Sequence, residues 1–370
     1  MPIPLPFGRR RLLAVTGAGV ALLAIPRAGW ADARQVRLVS PRAGAGVLAD
    51  YPYWVARKLG YFSDVAAPLD AGATDPTGGA KLVDRNLADL GSPAPVLFAM
   101  GLEQGMRLVS VWQIGATDPL SLAFRKGEAA SGPRGLTGKT LLLDSAARKL
   151  FCDTWFAAAE MEPRDVTYAE AGPNWGQALA QGKGDAALAW DGLPAQWQAQ
   201  GLAFDYLPAR ATTHFPGTSL LARASDLADP GRHDLLGRYL RGWAMGMAFA
   251  EANPRAAAHI ATQAAPELAT LLPPPVATAA LMSIAAGFRG DMDKRKGWGW
   301  HDTDQWAALF AAARQAGQIG LPIKPADVVS NDLIGTANDF PAAQVKSDAN
   351  GYVLPPDFAQ VDVAALGAQF

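Results

Sequence analysis

Hydrophobic and polar residues follow one another along the middle of the chain in a pattern that predicts strands and helices in turn. A short apolar run bounded by turn residues is typical of a buried strand, and apolar residues three or four positions apart are typical of a helix. From 140 to 190 this pattern predicts the strands Thr140–Leu143, Val166–Tyr168 and Asp185–Trp190, a helix from Asp144-Ser145 to about Met161, and a helix over Trp175–Gln181 that Gly182 ends. Strands that alternate with helices in this way predict an α/β fold built on an open parallel sheet.

The same order of elements occurs earlier in the chain. Lys81–Ala99 predicts a helix that leads into a short strand, and the spacing from Val83 to Asp89 equals that from Leu179 to Asp185. Two α/β lobes whose strand ends face each other predict a clamshell with the ligand between the lobes. The other predicted strands are Val36–Ser40, Leu108–Trp112, Ser121–Arg125 and Thr218–Arg223, and the other predicted helices run from near Asp50 to Leu59, closed by Gly60, and over Leu235–Asn253, Ala256–Ala265, Pro274–Gly287 and Asp304–Ala316.

This order of elements predicts the domain organisation of the chain. The expected segments are lobe I over 34–118, lobe II over 119–224, C-terminal helices over 225–340 that pack mainly on lobe I, and an irregular tail over 341–370. The chain is expected to cross between the lobes near Thr117–Leu120 and to return near Ala224–Asp229. Such crossings are the natural hinges of a two-lobed protein.

The first 33 residues have the composition of an export signal. Arg9, Arg10 and Arg11 precede the apolar run Leu12–Ile25, and small residues before Ala31 or Ala33 offer cleavage sites. Adjacent arginines followed shortly by two leucines favour a twin-arginine signal, with an ordinary secretory signal as the alternative. The chain is therefore expected in the periplasm after cleavage.

The candidate ligand-binding residues lie at predicted strand ends and helix starts, because open α/β sheets bind ligands beyond the carboxyl ends of their strands. Stacked aromatic rings beside carboxylates suit a flat or cationic ligand, whereas Arg148 and Arg42 suit a sulfonate or a carboxylate. The sign of the ligand's charge is left open, and Asp144 is equally a helix N-cap. The candidates are Asp50, Tyr51, Tyr53, Ser92, Trp112, Ser145, Arg148, Trp190 and Asp191.

Composition excludes several other functions. The net charge of −1 gives no general attraction to nucleic acid. The single cysteine, Cys152, lies within a predicted helix and is interpreted as a core residue, as are the helical tryptophans Trp155, Trp243 and Trp306. The four histidines have no metal-ligand spacing, and no serine-hydrolase or phosphate-loop motif occurs in the mature chain. No catalytic residue, metal or cofactor is therefore predicted.

Four motifs in a fixed order carry a resemblance to a known family. They are Tyr53–Phe62, Asp89-Leu90-Gly91-Ser92, Leu136-Thr137-Gly138-Lys139 and Leu179–Ala186. The chain resembles the solute-binding proteins of bacterial ABC importers, in the branch that binds nitrate, taurine, aliphatic sulfonates and thiamine-pyrimidine precursors. The resemblance implies a two-lobed periplasmic-binding-protein clamshell (type II-like) with a helical C-terminal region. It also implies a monomer that delivers a small molecule to an ABC permease in the inner membrane.

Two alternatives share that fold. One is an enzyme like the pyrimidine synthase of thiamine biosynthesis, which uses a cysteine-rich motif and iron. This chain has one cysteine, so the resemblance does not extend to that mechanism. The other is a sensor that reports the ligand to a membrane partner, and the sequence leaves this alternative open.

Overall fold

Two five-stranded sheets organise residues 34–42, 44–71 and 78–367, which are the residues that the computed structural model describes. The predicted export signal lies outside the described residues. The first sheet, sheet I, has the strand order β2-β1-β3-β10-β4, and the second, sheet II, has the order β7-β6-β8-β5-β9. The strands are β1 Leu38–Ser40, β2 Leu69–Ala71, β3 Leu90–Gly91, β4 Leu108–Gln113, β5 Leu120–Arg125, β6 Thr140–Leu143, β7 Thr167–Glu170, β8 Ala186–Trp190, β9 Phe204–Pro208 and β10 Ser219–Arg223.

Helices cover both faces of each sheet and form most of the chain after β10. Helix α1 ends at Gly60, whose φ of 73° is the left-handed conformation that glycine adopts readily, as predicted. The helices are α1 Tyr51–Leu59, α2 Gly78–Asp84, α3 Pro95–Glu103, α4 Lys149–Ala158, α5 Trp175–Ala180, α6 Leu193–Ala199, α7 Ala224–Ala228, α8 Pro230–Ala252, α9 Pro254–Ala264, α10 Pro266–Leu271, α11 Pro274–Arg289, α12 Thr303–Gln315, α13 Pro325–Val328, α14 Ile334–Asn338, α15 Ala342–Gly351, α16 Pro356–Ala359 and α17 Val363–Gly367.

The sheets are mixed rather than fully parallel, which corrects the predicted topology. Strand β1 is parallel to β2 and β3, and β6 is parallel to β7 and β8. Strand β10 runs antiparallel to β3 and β4, and β5 runs antiparallel to β8 and β9. Strand β5 is where the chain enters sheet II, and β10 is where it returns to sheet I. Each begins at the edge where the parallel strands of its sheet end, so each runs in the opposite direction to them.

Two crossings join the sheets at these edges. The first crossing, residues 114–119, overlaps the expected Thr117–Leu120, whereas the second is residues 209–218 and not Ala224–Asp229, because β10 already belongs to sheet I. Six residues reach at most about 20 Å, so the carboxyl edges of the two sheets lie opposite each other across a crevice. The crossings are hydrogen-bonded together, since Gly115 N donates to Thr218 O and Asp118 N donates to Phe215 O. A Cβ on Gly217 would lie 2.5 Å from Thr117 O, so this approach requires glycine.

The predicted repeat between the lobes is visible in one pair of aspartates. Asp89 precedes β3, and its Oδ2 accepts a 2.7 Å hydrogen bond from the backbone N of Arg37, just before β1. Asp185 precedes β8, and its Oδ2 accepts a 2.8 Å hydrogen bond from the backbone N of Thr140 at the start of β6. The equal spacing in the sequence therefore corresponds to an equivalent carboxylate in each lobe.

The hydrophobic core has four parts, one on each face of each sheet. Trp155, Trp243, Trp306 and Cys152 are fully buried, which confirms the prediction that they are core residues. Burial also raises the pKa of the Cys152 thiol. A thiol held in its neutral form is a poor nucleophile.

The C-terminal segment 341–370 is helical where it is described, which corrects the predicted irregular tail. Val345 and Ala349 lie four residues apart on α15 and are both buried where α15 packs on α8. Asn253, which follows α8, donates a 2.8 Å hydrogen bond from its side chain to Ala349 O. The short apolar stripe is easily missed in a sequence, because only packing against α8 stabilises so weak a helix.

The lobes also touch on both sides of the crossings. On one side Gln318, after α12, accepts a 2.7 Å hydrogen bond from Thr154 Oγ1 and donates one of 2.7 Å to Leu150 O, both in α4. On the other side Ser283 of α11 accepts a 3.3 Å hydrogen bond from the backbone N of Gly192, which begins α6. The crevice is thus bounded on two sides by helix pairs.

Candidate functional site

At the lobe I side of the crevice, a buried charge cluster follows the ends of β1 and β3. Asp50 is 2% exposed and accepts a 2.7 Å hydrogen bond from Ser40 Oγ. Arg42 Nη1 donates to Asp50 Oδ1 at 2.5 Å and reaches Ser92 Oγ at 3.4 Å. We call Ser40, Arg42, Asp50 and Ser92 the lobe I cluster. Its carboxylate is matched by an arginine within the protein, so the cluster as a whole is neutral.

Two predicted ligand-binding residues of α1 point into the core instead. Tyr53 is fully buried, and its hydroxyl donates a 2.6 Å hydrogen bond to Ala67 O. Tyr51 is also fully buried and stacks on Phe288, with ring centroids 5.6 Å apart. The prediction that these rings face the crevice is therefore corrected: both lie on the side of α1 that packs in the core shared with α8.

Trp112 is a third predicted ligand-binding residue that the structure buries completely. A Cβ on Gly299 would lie 2.0 Å from its indole, so the segment after α11 lies directly against the ring. The neighbouring Gln113 binds the Nε1 of Trp306 instead of facing a ligand. Trp112 is a core residue in this structure, because β4 lies at the edge of sheet I and the segments around Gly299 and Val329 cover it.

At the lobe II side of the crevice, Asp144, Ser145 and Arg148 follow the end of β6. Arg148 Nε donates to both carboxylate oxygens of Asp144, at 3.2 and 3.3 Å. Asp144 is therefore an ion-pair partner and not a helix N-cap. The cap position of the turn that follows is Ser145, and its side chain makes no capping hydrogen bond. In the described part of the chain, the two Nη atoms of Arg148 and the hydroxyl of Ser145 have no hydrogen-bond partner.

Trp190, the last residue of β8, supports this arginine. The guanidinium carbon of Arg148 lies 4.7 Å from the centroid of the Trp190 ring, a cation–π contact. Trp190 in turn stacks on Trp175 at 5.5 Å with an interplanar angle of 23°. Trp175 is fixed by a 2.7 Å hydrogen bond from its Nε1 to Leu188 O. We call Asp144, Ser145, Arg148 and Trp190 the lobe II cluster.

Asp191 lies beside Trp190 but belongs to a different cluster, at the crossings. Its carboxylate accepts a 3.1 Å hydrogen bond from Arg210 Nη1 on the second crossing. Asp118 on the first crossing is buried, and its Oδ1 accepts a 3.0 Å hydrogen bond from Leu120 N. Burial, reinforced by the charge of Asp191, raises the pKa of Asp118 to about 7, and burial raises the pKa of Asp191 to about 6 despite Arg210. Two carboxylates here share one arginine.

The structure thus brings Asp50 and Ser92 together in one lobe and Ser145, Arg148 and Trp190 together in the other. Sequence reasoning missed Ser40 and Asp118. Ser40 ends β1 as Ser92 follows β3, so the strand-end rule that selected Ser92 also applies to Ser40. Asp118 had no such signal, because an aspartate in a connecting segment is ordinary.

Within residues 34–42, 44–71 and 78–367, no group of three His, Cys, Asp or Glu side chains is placed to hold a metal ion. None of the described helices has both the length and the hydropathy needed to cross a bilayer.

Comparison with known proteins identifies the fold and the family. The family model described as NMT1/THI5 like matches residues 50–257. No curated protein matches the chain by sequence.

Solved structures with the same fold share little sequence with this chain. The alkanesulfonate-binding protein SsuA from Xanthomonas axonopodis pv. citri bound to MOPS is 16% identical over 80% of this chain and 98% of that one, with a TM-score of 0.55. The periplasmic aliphatic sulphonate binding protein SsuA from Escherichia coli is 14% identical over 80% and 92%, with a TM-score of 0.56. The ligand-binding component of an ABC-type import system from Staphylococcus aureus, with zinc bound, is 11% identical over 83% and 100%, with a TM-score of 0.57. These similarities confirm the predicted periplasmic-binding-protein fold.

Proposed function

The chain belongs to the NMT1/THI5-like family, and from that premise we propose that it is an exported solute-binding protein. It captures a small organic molecule in the crevice between the two sheets and delivers it to an ABC import permease. Closure of two lobes about paired crossings is the usual way in which such a fold traps a ligand. The structural neighbours that bind sulfonates or serve ABC importers support this proposal through their shared fold.

The observation that carries the proposal is the state of Arg148. Its guanidinium is stacked on Trp190 and held through Nε by Asp144, so its plane and its position are set before a ligand arrives. Both Nη groups remain without a partner among the described residues. Such a fork matches the two oxygens of a carboxylate or a sulfonate, and little entropy is lost because the side chain is already ordered.

We further propose that the ligand carries an acidic group. Asp50 is the most buried carboxylate at the lobe I side, and Arg42 already neutralises it. The lobe II side offers free N–H donors from Arg148, and Ser145 adds a hydroxyl. A cationic ligand would meet no unmatched carboxylate in either cluster, whereas an acidic ligand would meet unmatched donors.

The route and the partner belong to the same proposal. The arginine-rich start of the chain supports export through the twin-arginine route, with cleavage near Ala31 or Ala33 and release into the periplasm as a monomer. Replacing Arg9 and Arg10 by lysine is expected to abolish export through that route. Unchanged export in a strain without the twin-arginine translocase would contradict the route but not the binding function.

A ligand screen by thermal unfolding tests the binding function. The panel contains aliphatic and aromatic sulfonates and carboxylates, each with a matched alcohol or amide and a matched amine. A ligand that binds only the folded state stabilises it by about 2.7 kcal/mol at one hundred times its Kd, so a true ligand raises the unfolding temperature clearly. We expect the acidic members alone to do so. A panel in which amines are the stabilising members would contradict the proposed ligand class.

The matched control is a second arginine of lobe II. Arg134 is exposed and pairs with Glu160 away from the crevice. Arg148→Gln is expected to remove the stabilisation by the acidic ligand, and Arg134→Gln is expected to retain it. Loss of stabilisation in both variants would indicate a general charge effect and would contradict a site at Arg148.

A further inference from the structure

A second concave surface lies on lobe II, outside the two clusters. It is a groove of about 650 Å³ between α6 and the edge strand β9, and we call it the hinge groove. Its floor includes Ser121 of β5 and Tyr206 of β9, and its wall includes Pro194 and Gln198 of α6. Lys126–Asp205 and Arg210–Asp191 close its two ends.

The position of the groove in sheet II separates it from the crevice. Arg148 and Ser145 follow β6, whereas the floor of the groove is formed by β5 and β9, at the far side of β8. Ser121 pairs with Pro208 and Ala123 pairs with Tyr206, so alternate residues of both strands present one face to the groove. Helices α5 and α6 pack on this face, and β9 lies at the edge of the sheet, so the groove runs between α6 and the edge strand. Of the residues that line the hinge groove, Trp190 alone is also a member of the lobe II cluster.

Two hydroxyls in the floor have no partner among the described residues. Ser121 is only 7% exposed, yet its Oγ makes no hydrogen bond within the described chain. The Tyr206 hydroxyl likewise has none, and burial raises its pKa, so it stays protonated as a donor. Both residues line the groove and neither oxygen is sealed from solvent, so each hydroxyl can donate a hydrogen bond to a bound acceptor. Both hydroxyls therefore favour a ligand with acceptor oxygens.

The charge at one end of the groove favours the same ligand. In the pair Lys126–Asp205 the side chains are 63% and 33% exposed, and in the pair Arg210–Asp191 they are 45% and 10% exposed. In each pair the cation is the more accessible member. At the Lys126 end a molecule in the groove therefore meets an ammonium before it meets a carboxylate, whereas at the other end Asp191 and Asp118 share Arg210.

The groove also touches lobe I. Ser283 of α11 lines it, and the same hydroxyl accepts the hydrogen bond from Gly192 N that joins α11 to α6. A ligand in the groove contacts both lobes beside the crossings, so its affinity depends on how the lobes are arranged. By reciprocity, such a ligand changes the affinity of the crevice for its own ligand.

We propose that the hinge groove is a second small-molecule site, which takes a ring-bearing organic anion. The ring lies along the proline and tyrosine side chains, and the anion accepts from Ser121 and Tyr206 near one of the exposed cations. Aromatic carboxylates are the simplest members of this class. Binding there stabilises the arrangement of lobes in which Ser283 contacts Gly192.

Ligand-detected NMR titrations on the full chain test the proposal with three probes. Benzoate carries ring and charge, benzamide carries the ring with neutral acceptor and donor groups, and benzylamine carries the opposite charge. We expect benzoate to bind more tightly than benzamide and benzylamine not to bind. The double variant Ser121→Ala/Tyr206→Phe keeps the packing and removes both hydroxyls, and it is expected to weaken benzoate binding about tenfold.

The variant Arg148→Gln shows whether benzoate binds in the hinge groove or in the crevice. In Arg148→Gln, which lacks the proposed donor of the crevice, we expect benzoate still to bind and Ser121→Ala/Tyr206→Phe still to weaken that binding, because Arg148 does not line the groove. The proposal is overturned if benzoate does not bind the wild-type chain, or if benzylamine binds as well as benzoate. It is also overturned if Arg148→Gln abolishes benzoate binding while the double variant retains it, since benzoate would then occupy the crevice. Failure of the hinge-groove proposal would not contradict the crevice site, because different variants test the two sites.

Discussion

The two sides of the crevice contain the same kinds of residue, an arginine, an aspartate and a serine, but the arginines are in different states. Arg42 in the lobe I cluster is 14% exposed and bonds to a carboxylate that is 2% exposed, whereas Arg148 in the lobe II cluster is 36% exposed and its carboxylate is 21% exposed. From this difference we expect the buried pair to stabilise its lobe, and we propose that the partly exposed pair presents its remaining donors to a ligand.

The largest expected effect is on the stability of lobe I. Arg42→Ala leaves the buried carboxylate of Asp50 without its cation, and breaking a buried pair in this way costs about 3–5 kcal/mol. Arg148→Ala removes only a partly exposed i,i+4 pair and a cation–π contact, at a cost of about 1 kcal/mol. Urea unfolding of both variants measures the contrast.

The comparison fails if both variants lose the same free energy of unfolding. The double variant Arg42→Met/Asp50→Leu provides the control, because it removes the buried charge together with its partner. It is expected to recover much of the stability that Arg42→Ala loses.

The second effect separates a ligand-facing tryptophan from a core tryptophan. Trp190→Ala removes the surface under Arg148, and we expect it to weaken binding of the ligand found by the screen by about 1–3 kcal/mol. Trp155→Ala empties a fully buried site in the same lobe, and we expect it to cost about 3–5 kcal/mol of stability. If Trp190→Ala costs as much stability as Trp155→Ala and leaves affinity unchanged, Trp190 is a core residue and the lobe II cluster is wrong.

A third prediction concerns Asp118 and Asp191 at the crossings. Asp50 has an arginine of its own in Arg42, whereas these two carboxylates share Arg210. The pKa of Asp118 is about 7 in the folded chain and lower when unfolded, so between about pH 4 and 7 the folded chain holds a proton that the unfolded chain has released. Its contribution to stability is therefore full below pH 4 and is lost as the pH rises toward 7. Asp191 acts in the same direction, and Arg210 opposes both.

Asp118→Asn removes this dependence. The variant is expected to be more stable than the wild type at pH 8, by on the order of 1 kcal/mol, and the difference should shrink toward pH 5. Urea unfolding at both pH values measures it. A difference that grows as the pH falls would have the wrong sign for a carboxylate whose pKa burial raises.

The smallest expected effect compares the two serines. The Ser145 hydroxyl has no partner in the described chain and is proposed to bind the ligand, whereas the Ser92 hydroxyl already contacts Arg42 at 3.4 Å. Ser145→Ala should weaken ligand binding by about 1 kcal/mol, and Ser92→Ala should change it less. Calorimetric titration measures both, and a larger loss for Ser92→Ala would assign the ligand to the lobe I cluster.

The parts of the fold that could be predicted are those governed by local pattern. Thr140–Leu143 is a strand with the predicted bounds, and the equal spacing before Asp89 and Asp185 corresponds to equivalent hydrogen bonds in the two lobes. Strand β9 was missed, because Asp205 and Pro208 interrupt its apolar pattern and only pairing with β5 makes it a strand. The second crossing was predicted too late in the chain. Only the pairing of β10 with β3 and β4 assigns that strand to sheet I, and the sequence does not show this pairing.

The candidate site could be predicted only as far as the strand ends. Ser92, Ser145 and Trp190 follow from that rule, but the contact between Arg148 and Trp190 joins two elements far apart in the sequence. Tyr51 and Tyr53 were predicted to face the crevice and are buried in the core. Almost every side chain of α1 is apolar or aromatic, so its sequence does not tell which face is inside until α8 covers it.

The central claim is that Arg148 binds the ligand while Arg42 stabilises its lobe, and one measurement tests it most directly. Calorimetric titration with the acidic ligand from the screen compares the wild type with Arg148→Gln and with Arg148→Lys, which keeps the charge but loses the planar fork. We expect Arg148→Gln to weaken binding at least about tenfold and Arg148→Lys to weaken it less, with both variants unfolding near the wild-type temperature. Equal affinity in all three proteins would contradict the claim.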